Sequence, residues 1–190
     1  MLDSVLEKRE LSVGKKLTYK TICSVFLIAM AVALPQVVHF IAGQPGGVQW
    51  LPMYLPVLVG GCLMGSKWGV TVGVLSPIVS FALTSMIGNP MPALPRLPFM
   101  ILELGIFAIV AGLFSKKIYE NSLWAFVAVI AAQVTGRLVF LLAVFVLQKF
   151  VPFTVQMIWG QIVTGLWGLG LQAILAPVIM IVMAKAMKKD

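Results

Sequence analysis

The sequence predicts an all-α membrane protein, six helices crossing the bilayer as one domain over residues 1–190. Three observations predict it. Of the 190 residues, 61% are hydrophobic and only 11% charged, whereas an ordinary soluble domain is about 45–50% apolar and about 25% charged. The apolar residues fall in six runs, most of them at or above the roughly 20 residues that cross about 30 Å of hydrocarbon. The charges sit in short clusters between those runs. A net charge of +8 therefore reads as a topology signal, since a nucleic-acid reading needs a basic face on a soluble fold.

In order, residues 1–17 form a basic segment and residues 18–42 the first span. The second span, 51–65, is short and broken by Pro52 and Pro56. The third covers 68–87 and the fourth 98–114. The fifth, 122–147, and the sixth, 153–184, are long for a straight crossing and are expected to tilt or extend past the bilayer. Ala31-Val32-Ala33 has the small-residue pattern of a signal cleavage site, but the apolar run continues past it and five further spans follow. Cys23 and Cys62 lie inside apolar runs and read as packed thiols.

Lys8, Arg9, Lys15, Lys16, Lys20, Lys67, Lys116, Lys117, Lys185, Lys188 and Lys189 fall on one side of this arrangement, and Arg96 and Lys149 on the other. The positive-inside rule places both termini in the cytoplasm, consistent with an even number of spans. The outer connections 43-GQPGGVQW-50 and 88-GNPMPALPRLP-98 are rich in Gly and Pro. They read as shaped loops that cap something.

Ionisable residues at bilayer depth are costly and face a cavity or one another. Two charges lie well inside spans: Glu103 and Arg137. Glu103 is about 8 Å below the outer face and Arg137 about 15 Å, from the helical rise, and the Arg stem can reach outward. The two are expected to meet in the outer half of the bundle. The residues fit two roles equally, a structural tie between the fourth and fifth helices or part of a ligand site.

Gln133 lies one turn before Arg137, on the same helix face. Gln161, Gly165, Gly168 and Gln172 form one stripe on the sixth span, and Gly69, Gly73, Ser76, Ser80 and Thr84 another on the third. Small and hydroxylated residues are the normal seam of packed membrane helices, so the third-span stripe reads first as packing; a large amide such as Gln161 calls for a specific partner. Gln36, His39, Trp50 and Tyr54 gather near the outer ends of the first two spans, where Trp and Tyr often act as interfacial anchors. Ala29 and Ala33, four residues apart, would let another helix approach closely.

No Walker loop is visible, nor any Cys or His cluster with metal-ligand spacing, so neither ATP hydrolysis by this chain nor a cofactor or metal is expected. Ser76 or Ser80 with His39 has no hydrolase motif around it. The chain does not read as an enzyme.

The stretches 52-PMYLPVLVGGCLMGSKWGVTVGVLSP-77, 101-ILELGIFAIVAGLF-114, 131-AAQVTGRLVF-140 and 165-GLWGLGLQAILAP-177, in this order on a six-span plan, resemble the substrate-binding S component of energy-coupling factor (ECF) transporters. The similarity is to the riboflavin/pantothenate/cobalamin-type group and runs from about Thr18 onward. It implies a plasma-membrane subunit of an ATP-driven vitamin importer, with a vitamin site near the outer face. It also implies a membrane scaffold (T) component and two cytoplasmic ATPase subunits as partners. Substrate-binding residues on this view are Glu103, Arg137, Gln133, Gln161, Tyr54, Ser80 and Asn89, and the scaffold-binding step is Ala29-x-x-x-Ala33. An Arg at position 137 would suit a carboxylate-bearing vitamin such as pantothenate, a preference that vanishes if Glu103 already neutralises it. A self-sufficient secondary carrier, or an assembly protein without a ligand, are the other readings; the carrier is weakened by the lack of a visible internal repeat.

Overall fold

A computed structural model describes residues 1–150 and 152–189. Among these the chain forms α1 (Leu2–Lys8), α2 (Val13–Trp50), α3 (Tyr54–Met64), α4 (Ser66–Met86), α5 (Leu97–Leu113), α6 (Ser115–Glu120), α7 (Trp124–Leu147), α8 (Val155–Thr164) and α9 (Leu166–Lys189), with a 3-10 turn at Leu94–Arg96 before α5. No strand occurs among the described residues. Among the described residues six stretches are long and apolar enough to cross a membrane: Val13–Gly43, Pro45–Met64, Ser66–Met86, Leu94–Leu113, Trp124–Leu147 and Leu166–Met187. The side chains of Gln44, Lys188 and Lys189 lie outside what is described.

Two expectations are corrected. The segment 43–50, expected to be a loop, is helical from Pro45 onward, so the second span begins there and not at residue 51. The backbone breaks at Gly43 alone (φ 68°, ψ −172°), a conformation essentially confined to glycine. Pro45 then stands in the first turn, where its missing N–H is not needed. The two following glycines allow a close pass, not a turn. A Cβ on Gly46 would sit 2.6 Å from the Ala42 Cβ, and one on Gly47 would sit 2.4 Å from His39 Nε2. The second span breaks after Trp50, at Leu51-Pro52-Met53, before resuming as α3.

The sixth span is likewise not one helix. It divides at Gly165 into the short α8 and the long α9. Gly165 and Gly168 are pressed against the broken end of the second span: a Cβ on Gly168 would lie 2.6 Å from Gln49 O.

Around the break, α3 is buried along nearly its whole length, as an apolar helix without a polar face should be. It packs among α2, α4, α5 and α9. Backbones approach closely where side chains are missing. A Cβ on Gly61 would fall 2.6 Å from Ala108 O, one on Gly69 2.7 Å from Gly61 Cα, and one on Gly73 2.5 Å from Leu104 O. The third-span stripe is therefore, at its glycines, a packing seam. Cys62 is buried and Cys23 half-buried, both free thiols.

One end of the bundle carries most of the lysines, with Lys149 following α7 at the other: Lys20 pairs with Asp3 and stands 5.9 Å from the Trp68 ring, and Lys117 stands 4.5 Å from the Trp124 ring. The N-terminal amine of Met1 donates to Ser115 Oγ at that same end. At the other end lie the residue 88–93 loop, the start of α5 and the end of α7.

Candidate functional site

At the end away from the main lysine cluster is a cavity of about 290 Å³, near the lower limit of pockets that hold small molecules (about 300–1,000 Å³). Its wall is built from the middle of α2 (Pro35, His39), the break before α3 (Leu51 to Tyr54), the 89–93 loop, Arg96 and Met100, and α7. Glu103 is its buried acid, fully enclosed, and Arg137 its buried base, 8% exposed.

These charges meet. Arg137 Nη1 lies 2.9 Å from Glu103 Oε1, and Tyr54 donates its hydroxyl proton to Glu103 Oε2 at 2.6 Å. The guanidinium also lies over the Tyr54 ring, 5.0 Å from its centroid. Tyr54 is thus buried in the cluster rather than anchoring the chain at an interface. Its ring is held edge-on by Phe107, centroids 5.1 Å apart. Phe107 fits there because position 136 is glycine: a Cβ at Gly136 would strike its ring at 2.2 Å. A missing side chain on α7 therefore sets the phenol that orients the acid on α5.

The mouth is built with similar care. Ser80 Oγ donates to Met91 O at 2.9 Å, and the Met91 N–H donates to Thr84 Oγ1 at 2.8 Å. The hydroxyl stripe of α4 thus pins the loop over the cavity. Arg96 donates to Gln161 Oε1, joining the start of α5 to α8. His39 Nδ1 donates to Pro35 O at 2.6 Å within its own helix.

Of the sequence-derived candidates, Tyr54, Ser80, Asn89, Glu103, Arg137 and Gln161 all line this cavity. Gln133 does not. Its amide donates to Leu169 O at 3.0 Å and ties α7 to α9. Gln172, from the same stripe as Gln161, donates to Trp50 O at 3.1 Å and Leu51 O at 2.8 Å, and so caps the carbonyls at the break, where Leu51 O also accepts from the Tyr54 N–H at 3.1 Å. Gln161 points elsewhere because the helix turns at Gly165. Sequence reasoning treated Arg96 only as a loop charge, although Arg96, Met100 and Glu103 follow i, i+4, i+7, one helix face, and all three line the cavity.

The first transmembrane helix is the least covered. Its most apolar window is 17% buried, and Ala29 and Ala33 lie on its exposed face, continued by Val25 and Val37.

The family model for the substrate-specific component of ECF transporters matches residues 21–180. That is most of the chain, and the chain belongs to this family. It is a multi-pass membrane subunit that binds a transported small molecule, and the family is not one of enzymes. Comparisons with curated proteins and with solved structures found no match.

Proposed function

We propose that this ECF substrate-specific component captures a vitamin-sized molecule at the outer face of the plasma membrane and releases it inside, driven by ATP that partner subunits hydrolyse. Both termini are cytoplasmic in this reading, and the cavity faces outward. The observation that carries it is the cavity itself, a hollow with a buried Glu103–Arg137–Tyr54 cluster at the end of the bundle remote from the main lysine cluster. Cytoplasmic loops are the ones enriched in Lys and Arg, so the remote end is the outer one. Tyr54, Ser80, Asn89, Glu103, Arg137 and Gln161 are assigned to the substrate site, while Gln133 acts behind it by fixing α7 on α9. The exposed Ala29–Ala33 step on α2 is assigned to a scaffold component, which couples the chain to two ATPases.

Co-purification from the native membrane tests this. The scaffold and ATPases are expected to come down with the chain, and uptake should stop when their ATP hydrolysis is blocked. Ala29→Leu should disrupt the assembly while leaving the cavity intact. Uptake that persists without any ATPase would identify a secondary carrier instead, and intact complexes with Ala29→Leu would remove α2 from the coupling surface.

A further inference from the structure

A second hollow lies against another face of α7, an open groove of about 470 Å³ between α7 and the first turns of α8. The same two helices serve both hollows. On α7, Arg137 and Phe140 line the cavity while Leu138, Leu142 and Phe145 line the groove; on α8, Gln161 lines the cavity while Gln156 and Trp159 line the groove. The α7 wall of the groove is wholly apolar, and Leu138, Leu142 and Phe145 are each more than half exposed.

This wall ends in a cation. Leu138, Leu142, Phe145 and Lys149 follow i, i+4, i+7 and i+11, one stripe of a helix. The stripe outlasts α7 itself, because Gln148 keeps helical torsions (φ −57°, ψ −22°) and the Phe150 N–H donates to Leu147 O at 2.8 Å. Lys149 is exposed and forms no ion pair among the described residues. From Lys149 to Leu138 is about 16 Å at the helical rise, the depth of one leaflet of a hydrocarbon core about 30 Å thick. Trp159 on the facing wall is the residue type that settles at headgroup level.

A concave apolar wall inside a bilayer is filled by an acyl chain, since water there would find no polar partners. Lys149 selects among the lipids that could supply one. Every phospholipid brings a phosphate to the depth where this lysine emerges, whereas a partner helix would have to carry its own acid there. We propose that the groove between α7 and α8 binds one anionic phospholipid of the leaflet at the cavity end. Its acyl chain lies along Leu138, Leu142 and Phe145, and its headgroup meets Lys149 beside Gln156 and Trp159. The lipid braces the two helices that also wall the cavity, and its site is independent of what the cavity binds.

The test places the full chain in nanodiscs holding equal amounts of phosphatidylglycerol and phosphatidylcholine with identical acyl chains. The chain is then released in a native mass spectrometer and its retained lipids are counted. The wild-type chain is expected to keep one phosphatidylglycerol that Leu142→Trp, which fills the groove, loses. Ile174→Trp, at an exposed position of α9 outside the groove, should keep the wild-type count. Lys149→Gln should lower the preference for phosphatidylglycerol over phosphatidylcholine about fivefold, the weight of one cation near anionic headgroups. Excess glycerol phosphate should displace nothing. Equal counts from wild type and Leu142→Trp, an equal loss in Ile174→Trp, or a preference unchanged by Lys149→Gln would overturn the proposal. Displacement by glycerol phosphate would reduce the site to a phosphate site without a chain groove. In complexes taken from the native membrane, a polypeptide lost with Leu142→Trp in place of the lipid would overturn it as well. Lys149 is exposed beyond the end of α7, so the Lys149→Gln comparison decides the matter even if Leu142→Trp fails to fold.

Discussion

Glu103 and Arg137 are each other's condition for being buried. A lone charge at this depth costs at least a few kcal/mol, and removing one member of a buried pair typically costs about 3–5 kcal/mol because the other is stranded. Replacing both can be nearly neutral. Glu103→Gln and Arg137→Met singly should therefore each lower the unfolding temperature of the ligand-free protein, and the double variant should recover most of the loss. Equal destabilisation in all three would mean that the pair contributes packing rather than charge compensation. That an acid and a base would meet was legible from their depths along two spans. The third member was not. Tyr54 read by its position as an interfacial anchor and was also counted among the substrate residues, but its bond to the acid was not visible: only the way α3 resumes after the Leu51–Met53 break carries its hydroxyl to Glu103.

The helices hold together through absent side chains. Gly61, Gly69 and Gly73 allow α3, α4 and α5 to touch through their backbones, as expected where lipid supplies no hydrophobic drive between helices. Gly73→Ala would place a methyl group 2.5 Å from a carbonyl oxygen of α5, and overpacking of this kind costs about 1–3 kcal/mol. Gly170, on α9, faces open space, so Gly170→Ala should be neutral or stabilising by up to about 1 kcal/mol through helix propensity. Thermal unfolding of the two variants in the same lipid checks the contrast, and equal behaviour would refute the seam. The α4 stripe was visible as a 3.6-residue pattern, and its glycines do the packing it suggested. The Gly-Gly pair at 46–47 misled for the same reason. Local chemistry marks glycine as a turn residue, whereas here it permits close contact with Val38, His39 and Ala42.

Across the whole molecule, polarity runs from a lysine-rich end to a cavity end. This separation supports an outward-facing site and makes a labelling prediction. With Cys23 and Cys62 replaced, Asn89→Cys in intact cells should react with a membrane-impermeant maleimide, and Lys116→Cys should react only after the membrane is opened. Both positions are solvent-exposed, so the reverse pattern would invert the topology. The covering of the bundle is also uneven. The first helix keeps a broad apolar face bare while α3 is enclosed on every side, which suits a chain that presents one flank to a partner.

By itself, the sequence determined that this chain lives in lipid, how many stretches are long and apolar enough to cross it, which end carries most of the cations, and that an acid and a base lie within side-chain reach of each other in the outer half. Lipid reads these as one-dimensional properties: apolar length, charge placement and helical register. The tertiary structure decided which donors are satisfied. Gln133 was lost to α9, Gln172 to the broken end of the second span, and Arg96 gained by the cavity, although periodicity treats all three alike. A helical register states which face a side chain occupies, while its partner depends on atoms from distant segments coming within bonding distance.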